Sequence, residues 1–205
     1  MTTNPPAIAD VLRPLRAATQ ALHEALDSQL PIARADASLA DYAAHLRALR
    51  PWLQAVRAAL AAPGVPGLDR LARRTDRRLA ALALDLDDLG APSAGAHGTA
   101  RESVDAMPAA LSEEAARDPA FAWGLAYVVE GSQLGGMAMH KRLAPRLAPH
   151  PMRYFQPVDA PCGPAAQWKD FVAQLGAALA DPAAEESARR GATAGFRSLM
   201  PRFGL

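Results

Sequence analysis

The sequence contains little of what builds disulfide frameworks, β-sheets or membrane spans. A single cysteine, Cys162, excludes an internal disulfide, and aromatic residues make up only 5% of the chain. The longest nearly uncharged apolar stretch, residues 120–129, is far shorter than the roughly 20 residues that cross a bilayer. The 22 basic and 21 acidic residues leave a net charge of +1, which gives no sign of nucleic-acid binding. We therefore expect neither a nucleic-acid partner nor a membrane partner.

The start of the chain and its length bear on location and domain number. The segment Met1–Pro6 lacks the basic start and apolar centre of a signal peptide, and with the lone cysteine this favours a reducing cytoplasm. A length of 205 residues suits one domain, 1–205. Residues 1–7 are expected to be disordered.

Helical periodicity dominates what is present. Alanine, the best helix former, supplies much of the apolar share, whereas valine and isoleucine are few. We therefore predict an all-α fold. The arginines of the third predicted helix are expected to form a solvated face: Arg70, Arg73, Arg74, Arg77 and Arg78. Repeated prolines predict a long irregular connection over Pro145–Pro164. The predicted helices cover about 8–28, 38–61, 68–89, 99–106, 118–143, 165–180 and 182–200.

One helical segment, residues 126–137, contains three glycines within six positions: Gly131, Gly135 and Gly136. Each glycine inside a helix costs about 1 kcal/mol relative to alanine, so the three together cost roughly 3 kcal/mol. Two explanations compete. The glycines could allow close helix packing, or they could admit a flat ligand to within contact distance of the backbone. Gly131 and Gly135 share a helix face, with Gly124 two turns before Gly131.

The run Tyr127–Gly136 resembles the distal-helix motif of bacterial heme oxygenases. In that family a kinked distal helix lies over the heme, and its glycines leave room for dioxygen. The resemblance implies a single-domain, heme oxygenase-like helical bundle, with heme as both cofactor and substrate. Where mammalian members carry a water-organising aspartate, this chain has a serine, so other groups must help to hold water. The catalytic positions implied are Gly131, Ser132, Gly135 and Gly136.

The first predicted helix carries a second matching motif at residues 15–27. It resembles the family's proximal helix, which implies that His23 is the axial iron ligand. Neutral imidazole is a good ligand for iron, and Asp27, one turn later, can accept the ring's other N–H. Arg16 lies two turns before His23, where the family places a cation for a heme propionate. The other expected heme contacts are Thr19, Tyr127 and Met139.

The resemblance implies oxidative opening of heme to biliverdin, with release of iron and carbon monoxide. Dioxygen is then required, and electrons come from an external reductase or ferredoxin, because no flavin or nicotinamide motif is present. Two purposes fit this reaction equally: the acquisition of iron, and the supply of a bilin chromophore to a photoreceptor. A non-catalytic heme carrier or sensor on the same fold is the alternative. A thiaminase-like enzyme and a di-iron bundle fit less well, since Cys162 is poorly placed and no Glu-x-x-His pair occurs.

Overall fold

The computed structural model describes residues 8–90, 101–158 and 160–205, except for the side chains of residues 8 and 101–108. The predicted disorder of residues 1–7 lies outside this part of the chain. Within it there are seven α-helices and three short 3-10 helices, and no strand. The α-helices are α1 (Ile8–Gln29), α2 (Leu39–Ala61), α3 (Pro66–Asp88), α4 (Arg101–Arg117), α5 (Pro119–Leu147), α6 (Pro164–Ala178) and α7 (Pro182–Leu199). The all-α prediction is confirmed.

Three helices begin with a capping side chain. Ser38 accepts a hydrogen bond from the Asp41 backbone N–H, and Asp41 accepts one from the Ser38 backbone N–H, which closes a capping box before α2. The Ser38 hydroxyl also donates to Asp41 Oδ2 at 2.7 Å, and this bond, together with the one from the Ser38 backbone N–H, lowers the pKa of Asp41. Asp118 and Asp181 accept from backbone N–H groups in the first turns of α5 and α7. Each cap satisfies donors that a helix start leaves unpaired.

Two predicted helix ends are wrong. The helix predicted to end near Ala106 continues as α4 to Arg117, and α4 buries Leu111 and Ala115 in the core. The helix predicted to end near Leu143 continues through Pro145 to Leu147. Leu147 is buried, and Pro145 lies in the last turn, where its missing N–H removes only one hydrogen bond. The irregular connection is therefore shorter than predicted, and it contains a 3-10 helix at Arg153–Phe155.

The core forms where α7 packs along α5 and α1, while α2 packs against α3 and α4. The helices α5 and α7 approach closely at two glycines. A Cβ on Gly124 would overlap the Ala188 carbonyl oxygen, and a Cβ on Gly191 would overlap that of Phe121. This backbone contact fixes one side of α5 and leaves another side of the same helix to line a cavity. No helix among the described residues has the length and apolar character needed to cross a membrane.

Candidate functional site

A cavity of about 280 Å³ lies between α1 and α5. Side chains from α2, α6 and α7 complete its wall, together with those of the 3-10 helices Arg153–Phe155 and Met200–Phe203. Most of these side chains are aliphatic or aromatic, which suits an apolar ligand. The aromatic lining residues other than histidine are Trp52, Tyr127, Tyr154, Phe155, Trp168, Phe196 and Phe203.

The structure brings most of the predicted site residues together in this one wall. They come from two helices that are far apart in sequence: Arg16, His23 and Asp27 of α1, and Tyr127, Gly131, Ser132, Gly135 and Met139 of α5. Two predicted residues lie elsewhere. Thr19 is buried and donates its hydroxyl hydrogen bond to the Leu15 carbonyl oxygen at 2.8 Å. Gly136 is buried against Phe155 and is not among the residues that line the cavity.

His23 is held by a partner on its own helix. Its Nδ1 lies 3.0 Å from Asp27 Oδ2, and its ring centroid is 5.7 Å from that of Phe196. The carboxylate favours the tautomer with hydrogen on Nδ1, which leaves the lone pair of Nε2 available. The side chain is 60% exposed, so a ligand can reach this nitrogen. His23 is therefore suited to bind a metal that enters the cavity.

The glycines of α5 divide between the two explanations given for them. An added Cβ on Gly131 or Gly135 would meet no atom within 4 Å, so neither glycine is required by helix packing. By contrast, a Cβ on Gly136 would lie 3.2 Å from Phe155 Cδ1, and one on Gly124 would overlap α7. Gly131 and Gly135 thus expose backbone to the cavity, whereas Gly124 and Gly136 serve close packing.

The predicted solvated arginine face of α3 is wrong for two of its members. Arg78 is only 1% exposed and binds Glu130 through two hydrogen bonds of 2.9 and 3.1 Å. Arg74 adds a third at 3.0 Å. A buried guanidinium needs such a carboxylate partner. The pairing could not be predicted from the sequence, because Glu130 lies 52 residues away from Arg78. These ion pairs tie α5 to α3 immediately before Gly131.

A buried carboxylate fixes the connection that closes the cavity. Asp85 is fully buried and accepts hydrogen bonds from the Tyr42 hydroxyl at 2.7 Å, the Tyr154 backbone N–H at 2.9 Å and Arg153 at 3.0 Å. Burial and the nearby carboxylate raise the pKa of Tyr42. With these contacts the 3-10 helix places Tyr154 and Phe155 in the cavity wall. Sequence reasoning missed Asp85, since a lone aspartate inside a helical pattern gives no signal of burial.

The same carboxylate belongs to a small cluster of side chains of the metal-ligating type. Asp85, Asp88 and His150 bring their ligand atoms within 4.8 Å of one another. Arg153 already binds both aspartates, at 3.0 and 2.6 Å. The guanidinium supplies the positive charge that a metal would bring, so the cluster is explained as a structural ion network.

Ser132, Arg16 and Arg142 have distinct places in the structure. The Ser132 hydroxyl donates to the Val129 carbonyl oxygen at 2.8 Å, so its oxygen can accept but its hydrogen is occupied. Arg16 is exposed at the edge of the cavity. Arg142 of α5 donates to the Ile32 carbonyl oxygen at 3.3 Å. Among these residues, Arg16 is therefore placed to pair with a carboxylate of a cavity ligand.

Fold and cavity together define an all-α protein with an apolar pocket between its first and fifth helices. The sequence profile of the heme oxygenase family matches residues 9–203. The chain therefore belongs to the heme oxygenase family.

Two relatives extend this comparison. A heme oxygenase from Xanthomonas campestris pv. campestris (strain 8004) is 41% identical over 125 residues, covering 58% of this chain. The chain spans 63% of the length of that relative. The fold is similar to that of the NO- and CO-bound heme oxygenase of Neisseria meningitidis, with a TM-score of 0.65 and 24% identity. That match covers 95% of this chain and 92% of the other, and it concerns the fold.

Proposed function

We propose that this chain is a heme oxygenase, which binds heme in the cavity between α1 and α5 and opens it to biliverdin, iron and carbon monoxide. The observation that carries the proposal is the pairing, in one cavity, of His23 with the exposed backbone at Gly131 and Gly135. A flat macrocycle needs a ligand on one side and an absence of side chains where it lies against a helix. Both conditions are met by residues from two distant parts of the chain.

Each residue has a defined part in this proposal. His23 holds the iron through Nε2, while Asp27 fixes the orientation of the ring from 3.0 Å. Gly131 and Gly135 leave space for the macrocycle and for dioxygen. Arg16 pairs with a propionate at the exposed edge of the cavity. The aromatic wall excludes water from the apolar part of the ligand.

When bound, heme supplies the iron that activates dioxygen and is itself the molecule oxidised. Around it, the Ser132 oxygen and the backbone carbonyls of α5 accept hydrogen bonds and so can hold water. Electrons come from a separate donor, such as a reductase or a ferredoxin. The chain itself binds and orients the heme and confines the space in which dioxygen reacts.

The test is conversion of heme by the purified protein. Protein loaded with hemin is mixed under air with a reductant and with catalase, which removes free peroxide, and the absorption spectrum is followed. The proposal predicts loss of the heme bands, appearance of biliverdin and release of carbon monoxide. Cycling between ferric and ferrous heme without a bile pigment would contradict it and would favour a carrier or sensor.

A further inference from the structure

His45 of α2 is a cavity residue to which the proposed function gives no part. Its ring is stacked on Phe203, with centroids 5.2 Å apart and an interplanar angle of 20°, and lies 5.9 Å from Phe155. Its Nδ1 is buried without a hydrogen-bond partner among the described residues. Because the residue lines the cavity, Nε2 is the nitrogen that can meet a molecule inside it.

The unpaired ring contrasts with other polar groups in the same wall. Trp52 Nε1 donates to the Gly195 carbonyl oxygen and to Ser198 Oγ, both at 3.0 Å. Ser132 is bonded to Val129. A polar group left unsatisfied in a buried position costs roughly 1–3 kcal/mol, and in His45 that group is Nδ1. Nε2 is therefore the nitrogen that remains for a ligand or water to pair with.

The protonation of the ring follows from its surroundings. Burial lowers the pKa of His45 to about 4, so the imidazole is neutral near pH 7 and carries one N–H. Buried N–H groups without a partner are rarer in proteins than buried acceptors without one, which indicates that the orphaned donor is the more costly of the two. The hydrogen is therefore expected on Nε2, which faces the cavity.

We propose that the His45 Nε2–H is a hydrogen-bond donor on the inner wall of the cavity, where it positions a small polar molecule, water in the resting protein, beside the bound heme. The part of the proposal that concerns heme rests on the proposed function. The charged propionates are not the partner, since they need solvent and the exposed Arg16. His45 is thus a positioning residue for small hydrogen-bond acceptors.

The test uses azide and carbon monoxide as probes of the heme-loaded protein. Azide accepts hydrogen bonds, whereas carbon monoxide is a weak acceptor. His45→Phe is expected to raise the azide Kd about five- to tenfold, as the loss of one hydrogen bond predicts, and to leave carbon monoxide affinity nearly unchanged. His45→Gln, which keeps a donor, should restore part of the azide affinity. Phe155→Leu is the packing control and should change the two affinities in parallel.

Two results would overturn the proposal. One is an azide Kd that is unchanged in His45→Phe, and the other is a parallel change in both ligands. A second arm needs no heme: in the apoprotein labelled with ¹⁵N-histidine, the His45 ring should be a single Nε2–H tautomer with a cross-peak to water. A ring protonated on Nδ1, or without contact to water, refutes the donor assignment. Failure of the wild type to bind hemin would instead refute the proposed function.

Discussion

Replacing Gly131 and Gly135 by alanine should stabilise the protein without heme and weaken its binding of heme. Neither added Cβ would meet an atom within 4 Å, so the substitutions create no clash in the apoprotein. Alanine is favoured over glycine inside a helix by about 1 kcal/mol, so the double variant should gain about 2 kcal/mol in free energy of unfolding. For a chain of this size, that gain raises Tm by roughly 4–8 °C.

The same two methyl groups would stand in the space proposed for heme. Forcing an extra methyl into an occupied site costs typically 1–3 kcal/mol, so each substitution should raise the Kd for hemin roughly fivefold to hundredfold. Urea unfolding of the apoproteins measures the first effect, and hemin titration followed by absorbance measures the second. The opposite signs of the two effects separate this explanation from a simple packing role.

Gly124→Ala is the matched control on the same helix. Its Cβ would overlap the Ala188 carbonyl oxygen, so this variant should lose stability even without heme. The reasoning is refuted if Gly131→Ala and Gly135→Ala also destabilise the apoprotein, or if they leave the Kd for hemin unchanged.

Three further predictions concern the residues that support the cavity. Arg78→Met leaves the buried Glu130 carboxylate short of a cation and should lower the free energy of unfolding by about 3–5 kcal/mol in urea denaturation. Tyr42→Phe removes a hydrogen bond to the buried Asp85 and should cost about 1–3 kcal/mol by the same assay, and a loss near zero would contradict the network. Burial lowers the pKa of His45 from 6.5 to about 4, so between these pH values the unfolded chain binds a proton at His45 that the folded chain does not. As the pH falls through this window, the free energy of unfolding of the wild type should therefore decrease more steeply than that of His45→Phe. Parallel pH profiles of the two proteins would show that the surroundings of His45 do not hold its ring neutral.

The fold was largely predictable from the sequence, because alanine-rich helical periodicity and side-chain caps such as Ser38 and Asp118 act locally. Helix ends that depend on tertiary contacts were not. The end of α4 depends on the burial of Leu111 and Ala115, which contact residues far away in sequence, and no local signal marks their burial.

The candidate site shows the same division. His23, Asp27 and the α5 glycines were identifiable from helical spacing and from the resemblance to known motifs. The burial of Arg78 and the placement of His45 were not, because each depends on a partner brought close by the fold: Glu130 for the first, Phe203 for the second. Gly136 is a catalytic position that the resemblance implies, and its contact with Phe155 has no local signal in the sequence.

The central claim is that heme binds between α1 and α5 with His23 as its iron ligand, and one measurement tests it most directly. Hemin is added to the wild type, to His23→Ala and to His140→Ala, whose ring bonds the Pro151 carbonyl oxygen away from the cavity. Ferric and ferrous spectra are then recorded. We expect a histidine-ligated heme spectrum in the wild type and in His140→Ala, and its loss in His23→Ala, with recovery when free imidazole is supplied. An unchanged spectrum in His23→Ala would contradict the account.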